Sequence, residues 1–216
     1  MDQSEPTGDP VAPTQPPASP PPASTPPSAG WAAPPSPVQT GPAGFVYADV
    51  PNRAIAYIID AILVGIVASI VGAVLGGMNL AAATVNPNTF AIEVNFVGLI
   101  LSTIVSAALS AAYFIYTWTS MRGTVGMKVL GMQIGNAGDG KTLTMDQATR
   151  RWLVIAAPGI VAQVLLVIPA IGILLALVAF GWFIYLLWTT YSSPTKQGFH
   201  DKFANTMVVK SARTAG

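Results

Sequence analysis

Apolar residues in this chain come in long unbroken blocks rather than in alternation. From Ala54 to Gly77 every residue except Asp60 is apolar, small or weakly polar. At ~1.5 Å per residue that block outreaches a hydrocarbon layer of ~30 Å. A second block runs from Phe96 to Thr119, and a third from Trp152 to Ser192 holds no charged residue. The third is long enough for two crossings, ~60 Å as helix, and Pro169, Ala170, Ile171 and Gly172 sit near its middle where a turn is needed. The pattern predicts an all-α membrane protein with four membrane-embedded helical segments in two hairpins, at residues 53–77, 96–119, 152–168 and 172–192. Pro158 is expected to kink the third segment, which is short enough to re-enter instead of crossing.

Charge sets the orientation. Only 9% of residues are charged, against ~25% in soluble domains. All ten basic residues fall at the head of the first segment, in the 120–151 loop or after Ser192, and none lies in the 78–95 linker. By the positive-inside rule those three regions face the cytoplasm, with both termini inside. An odd number of crossings would leave Lys196, Lys202, Lys210 and Arg213 outside. Tyr113, Tyr116, Trp118, Trp152, Tyr185, Trp188 and Tyr191 then gather at the inner interface.

Residues 1–44 have a different composition. Fifteen of the 19 prolines lie in residues 1–51, among Ser, Thr, Ala and Gly. Such a segment buries too little apolar surface to offset its ordering entropy, so a disordered cytoplasmic tail of polyproline II character is expected. It serves as a spacer or as the ligand of a proline-motif-binding protein. Its acidic, proline-bearing start does not resemble a secretory signal. The membrane domain occupies 45–210, with Pro51 before it and Asn52 as the expected N-cap, and 211–216 form a short tail.

Candidate chemistry is sparse. The chain has no cysteine and one histidine, His200, which removes thiolate chemistry and His-rich metal sites. No acid/base pair or nucleophile constellation is visible, so an enzyme is not expected, nor a cofactor, a metal or a nucleic-acid partner. Gly135 to Thr142 match the P-loop spacing. A P-loop needs a helix starting at its Lys, whereas Lys141 is followed by Thr142, Leu143 and Thr144. The letters fit a turn between two short strands, Val129–Ile134 and Thr142–Thr144, and nucleotide binding is rejected. Thr144 and Gln147 have capping-box spacing before Arg150 and Arg151. Small residues recur every four positions at Ala61, Gly65, Ser69, Ala73 and Gly77, and again at Ser102, Ser106 and Ser110; the two stripes are expected to meet. After Pro194, residues Phe199, Phe203, Met207 and Val208 are expected in the membrane interface, with Lys196 and Lys202 at lipid phosphates.

Asp60 is the residue with the clearest functional meaning. Seven helical residues turn through ~700°, which puts it on the face of Arg53 and ~10 Å deeper. A carboxyl at that depth costs ~2.5–3.5 kcal/mol and should face protein or water. Arg53 and Asp60 in RAIAYIID, the loop RGTVGMKVLGMQI with GKTLT and the Arg150–Arg151 pair, and the ending QGFHDKFANTMVVK together resemble the RDD family of bacterial membrane proteins. Its one arginine and two aspartates map onto Arg53, Asp60 and Asp201. The resemblance implies residence in a bacterial cytoplasmic (inner) membrane and, for some members, transport. Two readings follow. In one the protein is a small ion, proton or solute transport component, with Arg53, Asp60 and Asp201 as its ion-site cluster and His200 as a pH-responsive group. In the other that cluster is a structural ionic lock in a noncatalytic scaffold or accessory subunit, which recruits a partner through the proline-rich tail. The lipid bilayer is a partner in both, and a homo-oligomer would provide the pathway that four short segments lack.

Overall fold

The computed structural model describes residues 44–165 and 169–211, so the proline-rich segment and the 211–216 tail beyond Ser211 lie outside the described residues. Helix α1 (Val50–Gly77) is followed by strands β1 (Ala83–Val85) and β2 (Ile92–Val94), helix α2 (Phe96–Ser120) and a short helix α3 (Val125–Val129). Strand β3 (Met132–Asn136), helices α4 (Met145–Leu165), α5 (Pro169–Ser192) and α6 (Phe199–Phe203) and strand β4 (Thr206–Lys210) complete it.

Each start has a local cause. Asp49, rather than the expected Asn52, caps α1: its Oδ1 accepts the Asn52 N–H at 3.3 Å, and Pro51 in the first turn has no N–H to leave unsatisfied. Asn95 caps α2 by accepting from the Gly98 N–H at 3.1 Å. Thr144 and Gln147 form the expected box, Gln147 N–H to Thr144 Oγ1 at 3.2 Å and Thr144 N–H to Gln147 Oε1 at 3.1 Å.

Among the described residues three helices are long and apolar enough to cross a membrane: Val50–Gly77, Phe96–Ser120 and Ile171–Ser192. Their outward faces carry exposed Ile62, Ile66, Ile70, Ile100, Ile104, Leu174 and Leu177, which water would disfavour and lipid accepts. The protein is a multi-pass membrane protein. The segment expected at 152–168 is the exception, because α4 spends its first two turns on Asp146, Gln147, Arg150 and Arg151.

The fold also corrects the all-α expectation. Strand β3 does pair, but its antiparallel partner is β4 from the chain's other end, Ile134 opposite Val208, while 142–144 stay out of any strand. Met207 and Val208 are therefore buried at 1% and 0% exposure instead of lying in the lipid interface, and only Phe199 and Phe203 remain exposed. The far side of β4 takes the lead-in to α1. Tyr47 bridges Val209, Ala48 N–H donates to Val208 O at 3.0 Å and Lys210 N–H to Val46 O at 2.8 Å. The two ends of the described chain thus lie side by side.

The small-residue stripes do not meet. Ala61, Gly65, Ser69, Ala73 and Gly77 are all exposed, and nothing lies within 4 Å of where a Cβ would stand on Gly65 or Gly77. Ser110 of the second stripe instead accepts a hydrogen bond from Trp152 Nε1 of α4 at 3.1 Å. The buried core collects at the end of the helices where the sheet sits, from Ala48, Ala56, Phe114, Trp118, Met127, Met132, Ile134, Leu143, Ala148 and Val208.

Candidate functional site

At that same end the N-terminal turns of α1 and α4 and the C-terminal turns of α2 and α5 converge on α6, and their side chains line a cavity of about 110 Å³. Two polar groupings border it.

The first centres on Asp201, which is fully buried. Its Oδ2 accepts from Arg53 Nη1 at 2.8 Å and from the Gly198 N–H at 3.1 Å, and its Oδ1 accepts from Arg151 Nη1. Arg53 is held further by Ala48 O at 3.2 Å and Val208 O at 3.0 Å, and Arg151 by Thr206 Oγ1 at 2.7 Å. One carboxylate therefore clasps the lead-in, α1, α4, α6 and β4 together. Burial pushes the Asp201 carboxyl up, but the Arg151 and Arg53 guanidiniums overcome it and hold the group below the usual carboxylate range.

Arg151 belongs in this grouping although no site reading of the sequence placed it there. Arg150, its neighbour, ends in an exposed pair with Asp146 four residues earlier, Nε to Oδ2 at 2.9 Å. That spacing was the available signal: the acid serves Arg150, so Arg151, a residue further round the helix, has to find its counter-charge elsewhere. It packs its guanidinium 5.2 Å from the Trp118 ring centroid.

The second grouping centres on Asp60, 2% exposed. Its Oδ1 accepts from Tyr113 Oη of α2 at 2.7 Å and from the Gly126 N–H of α3 at 2.8 Å. The Val125 N–H donates to Tyr113 Oη at 3.2 Å, which leaves the phenolic proton for Asp60. Asp60 forms no ion pair among the described residues, so the structure joins Arg53 to Asp201 and seats Asp60 apart, on the same cavity. Helical phase alone suggested the Arg53–Asp60 partnership; the guanidinium reaches outward to the tail instead.

Close approach at a glycine holds each grouping. A Cβ on Gly126 would stand 2.2 Å from Ala56 O, and one on Gly198 would stand 2.3 Å from Thr190 Oγ1. Glycine thus lets α3 reach Asp60 and lets the α5–α6 turn deliver Asp201.

His200 lines the cavity, with Nε2 3.6 Å from Asp201 Oδ2. Burial pushes its pKa down from 6.5 to about 3, against the opposing pull of Asp201, so it stays neutral where an ordinary histidine titrates. The response expected of it is thereby moved far to the acid side. The unfolded chain binds the His200 proton below 6.5 and the folded chain only near 3, so this contribution is complete above 6.5 and is lost as pH falls toward about 3. The depressed carboxyl of Asp201 works with the same sign at lower pH. Thermal melts in detergent should show the stability falling from pH ~6.5 downward, and His200→Gln should flatten the curve above pH ~4. An unchanged slope in that variant would contradict the assignment.

The P-loop match is used as a turn. Lys141 Nζ lies 3.5 Å from the exposed Asp139, α4 starts only at Met145, and the Gly140 carbonyl accepts from Arg122. Among the described residues no group of three His, Cys, Asp or Glu is placed to hold a metal ion.

Among curated proteins and solved structures no match is found. The profile of the RDD family matches residues 47–205, from the strand bridge at Tyr47 to the turn before β4, and so takes in Arg53, Asp60 and Asp201 at once. A match over most of the chain's length means that this chain belongs to the RDD family.

Proposed function

We propose that the protein is a small ion or proton transport component of the bacterial inner membrane in which Asp60 is the exchanging group. The observation that carries the reading is the asymmetry of its carboxylate. Both hydrogen bonds fall on Oδ1, while Oδ2 accepts none from the described residues, and the side chain lines the cavity. A buried carboxylate in a spanning helix, without a cationic partner, is a site where a proton or cation can come and go. Arg53, Asp201 and Arg151 act in this reading as the fixed frame around it.

Adjacency of Tyr47 and Val209 supports a topology with both ends on one side, which needs an even number of crossings. With α1, α2 and α5 long enough to span, α4 carries the chain across to the start of α5. Placing the basic residues inside then puts the cavity at the cytoplasmic end.

Purified protein in proteoliposomes tests the reading. Asp60→Asn keeps both acceptor contacts at Oδ1 and removes the group that can exchange a proton or cation, so ion-gradient-driven flux should fall by at least about tenfold while the protein inserts normally. Flux equal to wild type would reject it. A second reading, the noncatalytic scaffold, draws on the Asp201 clasp, which ties the tail to α1 as a structural ionic lock would. In that case Asp60→Asn changes protein level and leaves flux at background in both forms.

A further inference from the structure

Charge around the cavity does not balance within the clasp. Arg53, Arg151 and Asp201 have side chains 9%, 6% and 0% exposed, so two guanidiniums share one carboxylate away from water, and His200 is neutral. Buried excess charge is costly and calls for a counter-ion. Asp60, on the same cavity, provides one when it is ionised.

Arg151 is also incompletely used. Its Nη1 serves Asp201 and Thr206, whereas Nε is buried without a partner and Nη2 makes no hydrogen bond among the described residues. The Nε–Nη2 edge of a guanidinium is a planar two-donor fork that matches a carboxylate. Trp118, whose ring stacks with this guanidinium, likewise has its Nε1 buried without a partner. Both residues line the cavity, with Phe114, Trp152 and Phe183 as apolar walls. A buried donor left unpaired is costly, so two beside an excess positive charge mark a place for an acceptor.

We propose that the cavity binds a small monocarboxylate on the Nε–Nη2 edge of Arg151, beside Trp118 Nε1, and that this anion enters together with a proton carried on Asp60 Oδ2. The proposal rests on Asp60 being the exchanging group. The bookkeeping of charge is simple: the set is neutral with Asp60 ionised and the cavity empty of anion, and neutral again with Asp60 protonated and the anion bound. Titratable groups lining the cavity are Tyr57, Arg53 and Asp60 from α1, Arg151 from α4 and His200 from α6, with Asp201 from α6 and Tyr113 from α2 behind them; the cap of α3 and α5 contribute only Thr124 and Thr190 as polar side chains. Among these, Asp60 is the acid that has no cation against it. A cavity of about 110 Å³ has room for a short-chain acid, and its largely apolar walls offer the hydroxyls of a sugar acid few partners.

The test uses the full chain purified in detergent, with acetate as the probe and chloride and gluconate as controls at constant ionic strength. Acetate should bind and raise the melting temperature, and the controls should not. Arg151→Lys keeps the charge but loses the fork, and Trp118→Phe loses one donor; each should weaken acetate by about tenfold or more. Should Arg151→Lys fail to fold, Trp118→Phe decides the point. Acetate binding should draw protons from weakly buffered solution, with that uptake lost in Asp60→Asn, because the variant has no carboxylate to protonate. Equal effects of acetate and chloride, indifference to both variants, or the same proton uptake in Asp60→Asn would each overturn the proposal. Flux that depends on Asp60 without any acetate binding would overturn this proposal and leave the reading of Asp60 standing. Acetate binding beside Asp60-independent flux would overturn that reading and the proton coupling with it.

Discussion

Replacing Asp201 with asparagine is expected to remove most of the folded protein from the membrane. The amide keeps the shape but leaves Arg53 and Arg151 facing each other without a counter-charge in a site from which water is excluded. Breaking a buried pair in this way costs ~3–5 kcal/mol, a large share of the ~5–15 kcal/mol that holds a domain folded. The effect should be felt in five places at once, since the lead-in, α1, α4, α6 and β4 all meet at this carboxylate. Asp139→Asn, at an exposed acid paired only with exposed Lys141, is the control and should be silent. Thermal melts and the yield of monodisperse protein measure both. Near-equal stability of Asp201→Asn and wild type would mean that the clasp is dispensable.

Gly126→Ala carries the second largest expected effect. Its Cβ would lie 2.2 Å from the Ala56 carbonyl oxygen, a backbone atom that cannot swing aside, so α3 must move away from α1. Overpacking of this kind costs ~1–3 kcal/mol. The displacement also lengthens the Gly126 N–H bond to Asp60 Oδ1, a contact to a charged acceptor worth ~1.5–3 kcal/mol. Because both losses act on one contact, Asp60→Asn should cost clearly less in the Gly126→Ala background than in wild type, and a double-mutant cycle on melting free energies measures the difference. Strict additivity would show that Asp60 and α3 are not coupled.

Much of the fold was legible because lipid imposes a simple rule on sequence. Long uncharged blocks can only be spanning helices, and the blocks from Ala54, Phe96 and Gly172 became α1, α2 and α5. What could not be read was direction. A helix in lipid is apolar on every face, so the stripe from Ala61 to Gly77 gave no sign that it would point outward, and spacing alone paired it with the wrong neighbour. Strand pairing was hidden for a related reason. The residues of β3 and β4 announce β structure through Met132, Ile134, Val208 and Val209, but nothing local tells a strand that its partner lies some seventy positions away.

The site was half legible. Arg53 and Asp201 do meet, at 2.8 Å. Asp60 was singled out correctly as a buried acid, but its partners are a phenol and a backbone amide, Tyr113 and Gly126, which carry no charge for a sequence reading to match against. Arg151 was missed because a basic pair at the head of a membrane helix reads first as topology.

Everything rests on the two ends of the domain being joined in the membrane, with β4 between β3 and the lead-in. Tyr47 and Val209 face each other as a pair flanked by the hydrogen bonds of Ala48 and Lys210, and Cα atoms in such pairs sit ~4.5 Å apart, within the range a disulfide spans. Because the chain contains no cysteine, Tyr47→Cys with Val209→Cys gives a clean background for oxidation in native membranes. The expected result is a rapid intramolecular disulfide that forms in the double variant and in neither single one. Two thiols that stay unlinked, or that are labelled from opposite sides of the membrane, would contradict the account.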